Sequence, residues 1–400
     1  MIGSTERIFT KNLLLLKSRV YIASLGSVSA LGQSSPEIWE NYKTQKHFIS
    51  KHQFDETEAF AAFLPKEIRN AIESLRKKNA NYRKLDDSVL FAIFSARKAI
   101  KEAGWRNEKN IGINIGSSRG ATGLFEKYHK EFIETGKAAT QASPSTTLGN
   151  ISSWVSQDLQ TEGPQFSHSV TCSTGLHAVV NAIAWMQAGF ADKFLAGGSE
   201  AALTPFTIAQ MKAMKIYASE DLDFPCRALD MEKKRNSMIL GEASGILALE
   251  NGDSDRAIAK ITGFGYATET LKHSVSISAN GESLQKAMEM AIGEKELSEI
   301  DAVVMHAPGT LKGDLSEVNA IKALFGKNAP AMTSNKWKLG HTFAASGILN
   351  LELAVLMLQY QEFIEVPFSE ISKSPSKLEN ILVNAVGFGG NAVSILISRK

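Results

Sequence analysis

Residues 173–188 and 342–358 read as helices that are apolar nearly all round. No other feature limits the possible folds as much. A helix without a polar face has no side to turn to water and must be covered by protein throughout. One such helix falls in each half of the chain, and strand-like runs alternate with helical ones around both. In the first half, residues 20–25, 111–115, 166–171, 194–198 and 245–250 read as strands. Helical segments there cover 66–104 and run from Cys172 to about Gly189. In the second half, 257–263, 302–306, 331–334, 381–386 and 392–397 read as strands, with helices over 283–292, 317–325 and 341–361. This alternation predicts an α/β protein with buried sheets. The second half echoing the first predicts a duplicated layered unit, its two apolar helices lying between sheets. The expected division is an N-terminal extension over 1–18, one half over 19–256 and another over 257–400, with a short polar linker near 252–256.

Composition narrows the function. A chain of 400 residues, 44% apolar and 22% charged, can bury a large core. Its formal net charge of +2 gives no global pull toward nucleic acid, and no segment joins dense basic charge to base-stacking aromatics. Two cysteines, Cys172 and Cys226, are too few for a disulfide framework and point to a reducing compartment. No apolar stretch approaches the ~20 residues of a membrane span. Leu13-Leu14-Leu15-Leu16, between Lys11 and Lys17, is too short for a secretory signal. A cytoplasmic protein is expected.

Three residues stand out as chemical candidates. Cys172 opens the run Cys-Ser-Thr-Gly-Leu-His, at the expected first turn of the first apolar helix, where helix charge and free N–H groups favour a thiolate. Taken alone, a cysteine on such a helix is most often an inert small hydrophobe. His306 ends a strand before a Gly/Pro loop, the place where open α/β sheets bind ligands; loop carbonyls satisfying it is an equally good account. His341, after Lys336-Trp337-Lys338-Leu339-Gly340, is expected to start the second apolar helix. A helix start disfavours the imidazolium, leaving a neutral ring that donates through Nε2. The turn Gly387-Phe388-Gly389-Gly390 separates two strands and lacks the Gly-Lys-Ser/Thr of a phosphate loop. The cysteine and histidine spacings match no zinc pattern, so no metal is expected.

Together, Thr171-Cys172-Ser173-Thr174-Gly175, His306 with Gly313-Asp314, Lys336 ahead of Gly340-His341, and Gly387-Phe388-Gly389-Gly390 resemble the elongating β-ketoacyl-acyl carrier protein synthases of the thiolase superfamily. The likeness runs in order from about Val20 to the C-terminus. It implies a five-layered αβαβα fold built from two related halves, and decarboxylative Claisen condensation of malonyl-carrier protein with an acyl group on Cys172. It also implies that His306 and His341 act as the decarboxylation pair, Lys336 as the supporting lysine and Phe388 as the gate. The amides of Cys172 and Phe388 would form the oxyanion site. Thr310 would contact the pantetheine arm, and Asp314 and Glu317 would anchor the His306 loop. Glu242 would be a structural acid, and Arg83, Lys84 and Lys215 would face the carrier protein. No cofactor beyond the carrier's phosphopantetheine is implied, and a homodimer or a heterodimer with a related subunit is expected.

Departures from the family pattern are specific. Thr171 replaces a small alanine, which predicts a narrower or more polar pocket. Pro308 removes one of two pantetheine hydroxyls, and Val386 stands where phenylalanine is usual. Asn350 stands where a glutamate pairs with the lysine; an amide oxygen can still accept from Lys336. These changes leave open a non-catalytic, chain-length-factor-like partner subunit. A thiolase would need a second cysteine near Gly387, and none is there.

Overall fold

The computed structural model describes residues 19–148, 150–252, 254–270, 277–371 and 374–400. The expected N-terminal extension over 1–18, and Asp253 in the expected linker, lie outside the described residues.

Thirteen strands are described: β1 (Val20–Val28), β2 (Ser50–Phe54), β3 (Thr57–Ala62), β4 (Ile111–Gly116), β5 (Gln165–Phe166), β6 (Lys193–Glu200), β7 (Leu240–Gly241), β8 (Ala243–Asn251), β9 (Ala259–Thr268), β10 (Ala302–Val304), β11 (Ala331–Thr333), β12 (Asn380–Gly387) and β13 (Asn391–Ser398). Ten of them form one ladder, ordered β11-β10-β12-β13-β9-β1-β8-β6-β4-β5. Numbered by appearance within each half, both halves have the order 3-2-4-5-1. Their senses also agree. The pairs β5·β4, β4·β6, β11·β10 and β10·β12 are parallel, and the remaining neighbours within each half are antiparallel. The halves join edge to edge where Val20–Ile22 meets Ala259–Ile261.

Side-chain alternation along the strands sorts the core into layers. Phe194 and Ala196 of β6 point into a central cluster, while Leu195 points outward onto the helix Asp87–Ala103 with Ile111, Ile113 and Ile115. In the second half, Ile381 and Val383 face the centre, and Leu382 faces the helices Glu282–Ile292 and Leu311–Phe325. Between the half-sheets lie the two apolar helices, Thr174–Gln187 and Ser346–Tyr360, which share that central cluster. The five layers are therefore helix, sheet, helix, sheet, helix. The central helices cross at glycines. A Cβ on Gly175 would stand 2.5 Å from the Ala344 carbonyl oxygen, and one on Gly347 would stand 2.6 Å from Leu176 Cγ. Phe343–Tyr360 has the length and composition of a membrane span, but 89% of it is buried inside the protein.

Several boundaries differ from expectation. The strand expected over 166–171 is only Gln165–Phe166, because β5 pairs with just Ile113 and Asn114 before the chain turns toward the site. The second apolar helix begins at Ser346, not at His341, after a short helix Lys336–Leu339 and a 3-10 turn Phe343–Ala345. Helix Leu311–Phe325 starts earlier than expected because Thr310 caps it, accepting the Gly313 N–H. The stretch 66–104 divides at Asn79 and again at Asp86, whose side chain caps the helix Asp87–Ala103. The hairpin β2–β3 and the helices Thr122–Thr135, Ala142–Thr146, Asn150–Leu159 and Pro205–Ala213 were not anticipated.

Candidate active site

After β5 the chain turns at Thr171, whose φ of +50° is unusual for a β-branched residue. That turn sets Cys172 just ahead of the helix Thr174–Gln187, with 7% of its surface exposed. The corner is tied down: the Thr171 carbonyl accepts from Ser118 Oγ at 2.7 Å and from Thr174 Oγ1 at 2.6 Å. Thr171 Oγ1 donates to the Phe388 carbonyl at 3.1 Å, which ties this corner to the turn that carries Phe388. Burial pushes the Cys172 thiol up to about 12, with the Glu200 carboxylate adding to the rise. The cysteine's own amide, Lys336 and Arg119 oppose it. The expected helix-start advantage is thus outweighed by desolvation, and the resting group is a thiol.

His306 follows β10 in a loop clamped by Glu317, whose two oxygens accept the His306 and Ala307 N–H groups at 3.0 and 2.9 Å. Its Nδ1 is buried and has no partner among the described residues. His341 is placed by strand-like pairing rather than by a helix end. Its N–H donates to the Ile239 carbonyl at 2.6 Å, and its carbonyl accepts from Gly241 at 3.1 Å. The Phe343 N–H donates to His341 Nδ1 at 3.1 Å, which leaves the proton of a neutral ring on Nε2. The two imidazoles meet edge to face, centroids 5.1 Å apart and planes at 85°. Burial, then His341 and Lys336, holds His306 well below the ordinary histidine range. Burial and then Lys336 bring His341 to about 3. Both rings are neutral at physiological pH.

Lys336 is fully buried and donates to Asn335 Oδ1 at 3.0 Å and Asn350 Oδ1 at 2.8 Å. Asn350 passes the link on, donating to the Met305 carbonyl at 3.0 Å and the Asn384 carbonyl at 3.3 Å. The amide therefore takes the lysine's hydrogen bond without its charge, and burial lowers Lys336 to about 8. Asp314 anchors the Gly309 N–H at 3.0 Å and pairs with Lys233 at 2.8 Å. Glu242 is structural, accepting from the Leu64 N–H and from Arg69.

Cys172, His306 and His341 line one cavity of about 380 Å³, together with Thr310, Pro308 and Phe388. Phe388, 41% exposed, stands on the turn between β12 and β13. Gly387 is required there, since a Cβ would collide with Thr171 Oγ1 and stand 3.0 Å from the Cys172 nitrogen. A wider groove of about 700 Å³ shares Asn236 and Leu311 with the cavity; Lys51, Lys212, Lys215 and Arg235 line it with Glu58 and Asp221, and Asp221 pairs with Lys51 at 2.6 Å. Arg83 and Lys84 are exposed on the 3-10 turn Ala80–Lys84 and line neither space. Lys233, Glu200, Asn384, Arg119 and Phe343 were missed from the sequence. Glu200 ends a strand, a signal of the kind that marked His306; the others carried none.

Beta-ketoacyl synthase, N-terminal domain, describes residues 17–254, and the matching C-terminal domain describes residues 258–367. The chain belongs to the β-ketoacyl synthase family. It is a ketosynthase of the thiolase superfamily in fold as well as in motif. Its relatives include 3-oxoacyl-[acyl-carrier-protein] synthase 2 of Staphylococcus aureus strain COL, 29% identical over 412 aligned residues, covering 96% of this chain and 98% of the relative. The enzyme of the same name from Vibrio cholerae is 28% identical, covering 96% and 99%. Among solved structures, the ishigamide ketosynthase/chain length factor superposes with a TM-score of 0.82 at 19% identity, over 96% of this chain and 99% of that one. The β-ketoacyl synthase of Burkholderia phymatum gives 0.80 at 21%, over 96% and 100%.

Proposed function

We propose that this ketosynthase is a β-ketoacyl-[acyl-carrier-protein] synthase that extends an acyl group held on Cys172 by two carbons. The convergence of one thiol and two neutral imidazoles on a single cavity carries this reading. The Cys172 sulfur attacks the acyl thioester, and its proton leaves to the ring nitrogen still free on His306, since His341 Nδ1 already accepts from Phe343. That proton goes on to the departing carrier thiolate. Amides of Cys172 and Phe388 face the oxyanion, each such donor being worth ~3 kcal/mol. Malonyl-carrier then enters. His341 Nε2–H and His306 donate to its thioester oxygen while the carboxylate leaves as carbon dioxide, and the resulting enolate carbon attacks the acyl-Cys172 carbonyl. The C–S bond breaks, the cysteine sulfur takes up a proton supplied by solvent, and a β-ketoacyl thioester departs on the carrier.

The protein needs no cofactor of its own in this scheme. Both substrates arrive on phosphopantetheine past Thr310, and the groove with Lys212, Lys215 and Arg235 receives an acidic carrier protein. A second ketosynthase-type subunit, identical or related, completes the assembly, and the setting is cytoplasmic. Among the structural neighbours, one is a type II polyketide carrier protein in complex with its ketosynthase, and another is a ketosynthase from Xenorhabdus doucetiae with its chain length factor. Such partners support a pathway of fatty-acid, polyene or polyketide type. Intact-protein mass spectrometry after incubation with acyl- and malonyl-carrier protein tests the reading. A Cys172 acyl adduct and a product longer by two carbons are expected, with neither formed by Cys172→Ala. Absence of any adduct in the unaltered protein would favour a non-catalytic partner subunit.

A further inference from the structure

Arg119 lies in the loop between β4 and the helix Thr122–Thr135, next to Ser118, which bonds the carbonyl preceding the nucleophile. Its backbone is clamped, because Glu200 accepts the N–H groups of Ser118 at 2.8 Å and Arg119 at 3.2 Å. Its side chain is less well provided for. One guanidinium nitrogen donates to the Gln210 amide oxygen, while the buried Nε has no partner among the described residues. The guanidinium stands 6.0 Å from the centre of the Phe343 ring, and that same ring lines the Cys172 cavity. Phe343 has a φ of +46°, a conformation such a residue seldom keeps without a structural demand. The neighbouring wall is Met211, Met214, Ile216 and Met238, apolar and adaptable in shape. Phe343 thus adjoins both the apolar cavity and a cation with an unused donor, which does not itself line the cavity while the ring holds this position.

A guanidinium in this state favours an oxygen acceptor, and its planar fork suits a carbonyl, hydroxyl or carboxylate. The Arg119 charge acts on the Cys172 thiol, yet no hydrogen bond joins the two among the described residues, so its unused donor is not spent on sulfur. We infer that Arg119 determines substrate specificity by hydrogen-bonding an oxygen carried on the acyl chain at Cys172, so that oxygenated acyl groups are preferred over plain saturated ones. This rests on the synthase reading above.

The test compares loading of Cys172, followed by mass spectrometry, from carrier proteins bearing acyl chains of equal length. One series is saturated, one carries a keto or hydroxyl group along the chain, and one ends in a carboxylate. At least one oxygenated series should load roughly tenfold faster or more, the worth of a charge-assisted hydrogen bond. The two oxygenated arms separate a neutral acceptor from an anionic one. Arg119→Met should bring the ratio of oxygenated to saturated loading close to one, and Arg119→Lys should keep part of it. Gln210→Ala, which frees the guanidinium without removing it, should lower the ratio partway and serves if the methionine variant does not fold. Saturated chains loading at least as fast in the unaltered protein, or a ratio unchanged by Arg119→Met, would overturn the inference alone. Loading of no donor at all would remove the synthase reading and this inference with it.

Discussion

His341 shows how one backbone hydrogen bond assigns a chemical role. Because the Phe343 N–H occupies Nδ1, the ring can only donate through Nε2, and burial near Lys336 keeps it from charging. It can hold an enolate oxygen but cannot take up the thiol proton. Replacing His341 with alanine should therefore leave acyl loading in place while condensation falls by about 10²–10³-fold, the cost of losing one oxyanion donor. Single-turnover assays with separate loading and extension steps would show this, and unimpaired extension would refute the role. Cys172, His306 and His341 were legible because each sits at a punctuated strand or helix junction, whereas Lys336 was marked only by the family resemblance. Arg119 and Lys233 were not, since a lone basic residue in a loop looks the same whether it reaches solvent or turns inward.

The central helices were the most legible elements, for a physical reason: an all-round apolar helix has no alternative to burial. Their crossing was not legible, because Gly175 and Gly347 lie 172 positions apart (347 − 175) and only packing brings them opposite. Gly347→Val should crowd Leu176 and cost roughly 1–3 kcal/mol as overpacking. A lowered midpoint in denaturant unfolding is expected, and an unchanged midpoint would mean the helices can separate freely. The hairpin β2–β3 escaped notice for the opposite reason. Ser50-Lys51-His52-Gln53 carries almost no apolar signal, yet β3 pairs with β7, which in turn bridges His341. Helix starts were misjudged wherever a cap, such as Thr310 or Asp86, rather than an apolar period decided them.

At the scale of the whole molecule, the layers enclose carboxyl groups far from water. Glu352, on the central helix Ser346–Tyr360, accepts from Ser27 through one oxygen, and its other oxygen is buried without a partner among the described residues. Burial raises it to about 7, as it does Glu200 and Glu317. With the folded value above the unfolded one, the folded chain binds more protons between about 4.5 and 7. This contribution to stability is full below that window and is lost as pH rises through it. His306 and His341, held low, act in the opposite sense as pH falls below 6.5. Glu352→Gln isolates the first effect. The variant should gain on the order of 3 kcal/mol over the unaltered protein at pH 8 and little at pH 4.5, read from urea unfolding at both values. An equal difference at both would show that Glu352 does not titrate on folding.

The chain alone determined the α/β class, the duplication and the residues able to do thiol chemistry, because hydrophobic period and side-chain type are local properties. Only tertiary structure decided which groups are charged. Desolvation and distant partners brought the thiol up, both imidazoles down and Lys336 onto a neutral amide, and these depend on what surrounds each group rather than on what precedes it in sequence.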